Sequence, residues 1–418
     1  MSTHIIAPKR TPYISDNIFG SFRTFFMYIF GLYALLSPVY IFHSGLPQPA
    51  DMLISIAVFP ALAILFLKHK GPISTPILVG TSFVMITIAI NLVNFSIFNG
   101  LFPSQRFLLS SLYYLYNFIV FIFTAAMFKH YPKQMKKITY VALATIIIIQ
   151  IPHIYLFPDD TRRMTGTLNN PNQLAYWSLL SFFMILLIRS GEKLKLFDFI
   201  LFGCLIYLQT LALSKAGLIT FTLALFIMPF MPHFTHVGRT VLIIVISITA
   251  IFGVFQLEKT LQGLEQLEAV DRVVSRLENI GQENDDSPEA RRYDRLWKYP
   301  YYTLLGAGEG AYERFNPEKP NEMHSGLGTI FFAYGLTGGF LFLYFIWCVI
   351  RKQPWYYLAL FGCVFLYSLP HQNIRFTHFW VLLGMLEASP YLLARTRTAF
   401  NIEAPQQHQP ASISKEIS

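Results

Sequence analysis

The chain alternates between long apolar runs and short polar connections from Ser21 to Ala394. A membrane-spanning helix needs roughly 20 predominantly apolar residues, and runs of about that length recur along most of the chain. The pattern predicts an all-α polytopic membrane protein with about twelve transmembrane helices. The run that begins at Leu218 is the shortest. The predicted span cores are Phe22–Phe42, Met52–Leu67, Ile77–Phe98, Phe107–Phe128, Ile138–Leu156, Leu174–Ile188, Phe197–Leu213, Leu218–Met231, Val241–Phe255, Leu327–Ile350, Trp355–Leu369 and Phe376–Leu393.

One long polar segment, between Gln256 and His324, interrupts this pattern. It divides the chain into a cytoplasmic N-terminal segment (1–20), a bundle of about nine helices (21–256), an outer loop (257–323), about three further helices (324–395) and a disordered cytoplasmic tail (396–418). The outer loop ends in a lone histidine at the start of the next apolar run. A long loop between two spans is a place where a membrane enzyme would carry its catalytic residues.

Basic residues in the short connections predict the orientation, because Lys and Arg accumulate on the cytoplasmic side. They fall in the even-numbered connections between predicted spans (the second, the fourth and so on) or in the tail. Both termini are therefore predicted to be cytoplasmic, and the large loop before the tenth span is predicted to be periplasmic. The residues are Lys68, Lys70, Lys129, Lys133, Lys136, Lys137, Arg189, Lys193, Lys195, Arg239, Arg351, Lys352, Arg395 and Arg397.

The composition agrees with a membrane protein. Only 13% of the residues are charged and 54% are hydrophobic, whereas soluble domains carry about 25% charged residues. The net charge of +9 comes without a basic stripe of interleaved aromatics, so nucleic acid is not an expected partner. The cysteines all fall inside apolar runs and predict neither a disulfide framework nor a metal site. We expect no cleavable signal peptide.

Several cations on the predicted outer side run against the orientation bias, and binding of an anion would explain them. For Arg162 and Arg163, anchoring to lipid headgroups is an equal alternative when they are considered alone. The outer cations are Arg162, Arg163, Lys215, Arg272, Arg276, Arg291, Arg292, Arg295 and Arg375.

Three outer-side stretches combine cations, glycines and asparagines next to an apolar run. They are Arg162–Asn172 (RRMTGTLNNPN), Leu213–Gly217 (LSKAG), and the end of the large loop, with Arg291–Trp297 (RRYDRLW), Leu304–Gly310 (LLGAGEG) and His324, followed by Tyr334–Gly338 (YGLTG). In order and placement they resemble the O-antigen ligase and polymerase superfamily of bacterial envelope glycosyltransferases. The resemblance extends roughly from Arg162 to Gly338.

The chain departs from the superfamily pattern in three places. Lys215 stands where arginine is frequent, and lysine neutralises a phosphate only as a point charge, without a bidentate fork. Ser325 stands where asparagine commonly follows the histidine. The stretch from the arginine cluster to Gly306 is short, which leaves open whether Arg291, Arg292 or Arg295 takes the superfamily's arginine role.

The resemblance implies transfer of a glycan from an undecaprenyl-diphosphate carrier to a sugar hydroxyl at the periplasmic face of the bacterial inner membrane. The implied enzyme is an inverting, metal-independent glycosyltransferase without a cofactor. His324 is the expected general base, because a neutral histidine suits that role near neutral pH. The expected diphosphate-binding residues are Arg163, Lys215, Arg291, Arg292 and Arg295.

The acceptor is open. A polymerase would join repeat units of O-antigen or exopolysaccharide, and a ligase would transfer the glycan to lipid A core; the two departures at Lys215 and Ser325 narrowly favour the polymerase. Membrane lipids and a chain-length regulator are further candidate partners.

A lone loop histidine is more often structural than catalytic, and only the motif context favours catalysis by His324. Asn170–Asn172 is expected to cap the next span, and the glycines of Leu304–Gly310 are expected to form a plain turn rather than a phosphate nest.

A transporter or flippase for lipid-linked glycans is the alternative from another class. Transporters usually place ionisable groups near the middle of the bilayer. The predicted spans are almost free of charge, with Glu387 as the notable exception, and the cations gather at one face. That distribution favours an enzyme at the membrane surface.

Overall fold

A computed structural model of the chain describes residues 18–43, 45–68, 72–98, 100–102, 104–158, 163–234, 289–318 and 320–402, with side chains described as far as residue 390. Within these ranges every regular element is a helix. The longer helices are α1 (Arg23–Leu36), α2 (Pro49–Lys68), α3 (Thr75–Phe98), α4 (Arg106–His130), α5 (Pro132–Leu156), α6 (Pro171–Ile188), α7 (Leu196–Ala212), α8 (Lys215–Ile227), and, after two short helices α9 (Arg295–Lys298) and α10 (Pro300–Leu305), α11 (Gly326–Ile350), α12 (Trp355–Tyr367) and α13 (Thr377–Ile402).

The chain is a helical multi-pass membrane protein. Six of the described helices, α2 to α6 and α11, are long and apolar enough to cross a membrane. Eleven of the predicted span cores overlap described helices, although α1 ends at Leu36, six residues before the end of the first predicted core. The run at Leu218 is indeed short, since α8 has 13 residues. The predicted span Val241–Phe255 and the N-terminal part of the large loop lie outside the described residues.

Helix α6 is the most deeply buried of the described helices of membrane length. All its residues from Leu174 to Ile188 are buried, and it contacts α5, α7, α8, α12 and α13. Helix α4 packs along α13 and α3, while α1 lies against α2 and α5. A helix that is apolar all round belongs inside a membrane bundle. Helix α6 is therefore the core of the part of the bundle that it forms with α5, α7, α8, α12 and α13.

Polar caps begin three of the helices. The Asn170 side chain accepts a hydrogen bond from the Asn172 amide (2.8 Å), with Pro171 at the first helical position. This confirms the predicted cap. Ser214 accepts from the Gly217 amide at the start of α8 (3.3 Å), and Ser325 caps α11 in the same way. These side chains satisfy amide groups that a helix start leaves without partners.

Helix α11 is broken at Gly335, where the loop after α10 inserts. Gly335 has φ 66° and ψ −175°, a conformation that essentially only glycine adopts. Near the break, the Ala307 amide donates to the Phe332 carbonyl (2.9 Å) and the Gly308 amide to the Ala333 carbonyl (2.8 Å). Since these amides are already bonded inside the protein, the structure favours the predicted turn over a phosphate nest.

Substitution of Gly335 by alanine should destabilise the fold. A Cβ atom there would lie 2.6 Å from the Leu304 carbonyl oxygen, and the positive φ adds strain, so we expect a loss of about 1–3 kcal/mol. Thermal unfolding of the purified protein in detergent measures the effect. Gly203→Ala is the control, because a Cβ in that helix meets open space. Equal melting temperatures for the two variants would contradict the account of the break.

Candidate functional site

The ends of several helices surround a polar cavity of about 540 Å³. Its wall comes from the connection between α1 and α2, from the first turns of α2, α4 and α6, from the segment before α11, and from the segment that joins α12 to α13. Helices α2 and α4 begin at this cavity and end at Lys68 and His130. The cavity therefore lies at one end of the bundle, away from the basic ends of these two helices.

His324 lies on the cavity wall with its side chain exposed. Its backbone amide donates to the Arg291 carbonyl (3.0 Å), and the neighbouring Ser325 side chain accepts from the Gly328 amide (2.9 Å). The backbone on both sides of the histidine is thus fixed. Neither ring nitrogen makes a hydrogen bond to a described residue, so the ring is available to a bound molecule.

Two arginines share one carboxylate on the same wall. Arg106 and Arg375 both donate to Oε2 of Glu322, whose side chain is 27% exposed. Burial alone would raise the pKa of Glu322, but the guanidinium groups of Arg375 and Arg106, with a smaller effect of His324, hold that pKa below its usual value. Glu322 is therefore ionised at neutral pH and neutralises part of the arginine charge.

Arg375 also faces a second, deeper carboxylate. Its Nη1 lies 3.6 Å from Oε2 of Glu309, which is fully buried. Oε1 of Glu309 accepts hydrogen bonds from the hydroxyls of Tyr114 and Tyr334, each at 2.8 Å. Burial would lower the pKa of Arg375, yet the charges of Glu322 and Glu309 raise it well above its usual value. Arg375 is thus a permanent cation between two carboxylates.

Arg163 and Lys215 lie next to the cavity rather than on its wall. Arg163 donates to the side chain of Asn172 (2.8 Å), which lines the cavity. The Asn172 carbonyl accepts from the hydroxyl of Tyr367 (2.7 Å), and this hydroxyl lies 3.4 Å from Oγ of Ser214, the residue before Lys215. Asn172 and Tyr367 therefore connect both cationic motifs to the cavity.

The three arginines after the long loop have different surroundings. Arg291 donates to the Pro370 carbonyl (2.6 Å) and so ties the His324 segment to the loop before α13. Arg292 is only half-buried and has φ 64°. Arg295 is buried, donates to the Asn321 carbonyl (2.8 Å) and lies over an aromatic ring. These contacts favour a structural role for Arg295 and place Arg291 beside the His324 segment.

Arg106 and Glu322 were not predicted from the sequence, and Arg375 was noted but not selected. Arg106 begins α4 at the edge of an apolar run, where a single cation is ordinary. Glu322 is 216 residues from Arg106, so no local spacing relates the two. A signal was present only for Glu322, an acidic residue two positions before the candidate base. Arg162, Arg272 and Arg276 lie outside the described residues.

Acidification should destabilise the protein through Glu322. Because its pKa is lower in the folded state than the ordinary value of 4.5, its stabilising effect is complete above about pH 4.5 and is lost as the pH falls through the folded-state pKa. Glu322→Gln should lower the unfolding free energy at neutral pH by about 1–2 kcal/mol, a value reduced by partial exposure.

Melting temperatures from neutral to acidic pH, in detergent, measure this effect. The Glu322→Gln variant should lose less stability on acidification than the unmodified protein does. Glu318→Gln is the control, since that residue is exposed and forms no ion pair within the described chain. The same acid sensitivity in all three proteins would show that Glu322 carries no such linkage.

No protein-family model matches the chain, and no curated protein matches it. The resemblance to the O-antigen ligase and polymerase superfamily therefore depends on the quoted motifs and remains a prediction.

Proposed function

We propose that the protein transfers a glycan from an undecaprenyl-diphosphate carrier to a sugar hydroxyl, as a metal-independent membrane glycosyltransferase. One observation carries the proposal: the exposed ring of His324 lines a large polar cavity formed by the ends of membrane helices. Two of the motifs that carry the resemblance, at Arg163 and at Lys215, connect to the same cavity through Asn172 and Tyr367.

The proposed reaction is a single inverting displacement. The acceptor hydroxyl loses its proton to a ring nitrogen of His324 as its oxygen forms a bond to the anomeric carbon. The bond between that carbon and the diphosphate oxygen breaks, and the lipid diphosphate leaves with the electron pair. Fixed cations would stabilise the negative charge that develops on the leaving group. Proton transfer to the histidine makes the hydroxyl oxygen a stronger nucleophile.

The diphosphate is assigned to Arg163, Lys215, Arg291 and Arg292, with Arg295 as the weakest candidate because it is buried. Arg106 and Arg375 line the cavity but already share Glu322. A guanidinium that is paired with a carboxylate offers less net charge to a phosphate. The diphosphate would therefore lie at the Arg163 and Lys215 side, with the sugars in the cavity.

The proposed topology has about twelve spans, with both termini in the cytoplasm and the cavity open to the periplasm of the bacterial inner membrane. The positive-inside bias supports it, because α2 and α4 start at the cavity and end in basic residues. The ion pair between Lys129 and Glu387 (2.9 Å) provides a partner for the acidic residue in the last span. The cations of the cavity lie at helix ends, which favours an enzyme over a transporter.

Polymerisation of O-antigen or exopolysaccharide repeat units is the favoured reaction, and ligation to lipid A core is the alternative. The preference depends on the departures at Lys215 and Ser325. The structure accounts for Ser325 as the cap of α11, a role that asparagine also fills well. Reconstitution with a lipid-linked repeat unit, offered either a second repeat unit or lipid A core as acceptor, separates the two reactions.

His324→Ala should lower the rate of glycan transfer by about 100-fold or more, since general-base catalysis contributes that much. Transfer is measured with the purified, reconstituted protein, and the melting temperature should stay unchanged because the ring makes no hydrogen bond to a described residue. The matched control is His43→Ala, a histidine exposed in the connection between α1 and α2 that is absent from the cavity wall. Full transfer by His324→Ala would remove the general-base assignment.

Arg163→Ala should weaken use of the lipid-linked donor by about tenfold in apparent affinity, because hydrogen bonds to charged groups contribute about 1.5–3 kcal/mol. The control is Arg351→Ala, an exposed arginine at the far end of α11. Donor titrations at fixed acceptor give both values. If the donor dependence is unchanged, Arg163 is a headgroup anchor instead.

A further inference from the structure

Several amide nitrogen and oxygen atoms on the cavity wall lack hydrogen-bond partners within the described protein. Asn373 and Asn117 are 5% and 1% exposed. Neither amide atom of Asn373 or of Gln372 makes a hydrogen bond, and Asn117 donates to the Arg375 carbonyl (3.0 Å) while its Oδ1 accepts none. For Asn373 and Gln372 the choice between amide oxygen and nitrogen does not affect this observation. Buried amides without partners are rare and need a cause.

Aromatic rings lie beside these amides. Tyr176 and Tyr367 stack at 4.9 Å between ring centroids, and His371 lies 5.0 Å from Tyr367. All three line the cavity, and the buried hydroxyl of Tyr176 has no partner in the described chain. Amides bind hydroxyl groups as both donors and acceptors, and the Tyr176 hydroxyl offers a further group of the same kind. The lining therefore has the chemistry of a carbohydrate site.

The charges on the wall favour an uncharged ligand. The two guanidiniums, Arg106 and Arg375, both pair with the carboxylate of Glu322, and Arg375 also lies beside the buried carboxylate of Glu309. A site for an acidic sugar would offer a guanidinium with no carboxylate beside it, since such forks suit carboxylates. Here the guanidiniums are already shared with carboxylates of the protein.

We propose that the cavity is a subsite for an uncharged sugar residue, whose hydroxyls bind the amides of Asn117, Gln372 and Asn373. The inference rests on the proposed function, in that the sugar belongs to the lipid-linked glycan or its acceptor. The amide atoms have almost no accessible surface, so binding includes rotation of these amide groups toward the sugar. The subsite sets which glycan the enzyme accepts.

The amides without partners should lower the free energy of unfolding of the protein. A buried polar group without a partner destabilises the fold, and its replacement by an apolar group of similar shape is neutral or stabilising. Asn373→Leu should therefore melt at the same temperature as the unmodified protein or higher. A merely structural Asn373 would give the opposite result, because the substitution would then remove hydrogen bonds.

The test titrates the full-length protein in detergent with the methyl glycosides of glucose, galactose, mannose, rhamnose, N-acetylglucosamine and N-acetylgalactosamine, and with those of glucuronic and galacturonic acid. Saturation-transfer NMR gives the dissociation constants. At least one neutral glycoside should bind at least tenfold more tightly than either uronide. Asn373→Leu and Gln372→Leu should each weaken that binding about tenfold, and Gln105→Leu should not, because that exposed amide lies beside the cavity but not on its wall.

Three results would overturn the inference: no binding of any neutral glycoside, tighter binding of a uronide, or unchanged affinity in both amide variants. Failure of the proposed function looks different. Amide-dependent binding of a neutral sugar, without any transfer to an acceptor, would support the subsite and contradict the proposed glycosyltransferase activity. Normal transfer by both amide variants would support the proposed glycosyltransferase activity and contradict the subsite.

Discussion

The carboxylate of Glu309 is fully buried inside a bundle of membrane helices, where an unpaired charge is costly. Its partners come from four separate parts of the chain: Tyr114 on α4, Tyr334 on α11, Arg375 before α13 and, through the Glu309 amide, Asn91 on α3 (2.9 Å). Together these contacts connect the Glu309 segment to four different parts of the chain. The position of the cavity wall therefore depends on this one carboxylate.

Arg375 connects this buried anchor to the site. It lies between Glu309 and Glu322, so the loop before α13 and the segment before His324 are held at a fixed separation. Arg291 adds a second connection between the same two segments, through the Pro370 carbonyl. Catalytic groups work best when neighbouring residues fix their geometry. These contacts thus hold the segment that carries His324, the candidate base, although the histidine ring itself is exposed.

The helices were largely predictable from the sequence, because an apolar run of membrane length can do little else than form a helix. Caps were predictable too, as the Asn170–Asn172 start of α6 shows. The cavity was not. Its two arginines pair with Glu322, which lies 216 residues from Arg106 and 53 from Arg375, and its amides become noticeable only once their lack of partners is known. Arg163 and Lys215 were predicted to contact the substrate; the structure places both beside the wall, behind Asn172 and Tyr367.

The cavity separates two proposed functions that the sequence motifs had placed together, binding of the sugars and binding of the diphosphate. Paired charges and amides line the space next to His324, while the cations of the Arg163 and Lys215 motifs lie at its edge. In the proposed reaction, the sugars of the donor would enter the cavity and its diphosphate would stay at the edge. Such a division would let the acceptor hydroxyl reach the anomeric carbon beside the histidine.

The most direct test is a structure of the purified protein with a lipid-linked repeat unit bound. The account predicts the sugars inside the cavity, the anomeric carbon next to the His324 ring and the diphosphate at the Arg163 and Lys215 side. A diphosphate bound between Arg106 and Arg375, with Glu322 displaced, or sugars bound away from His324 would contradict it.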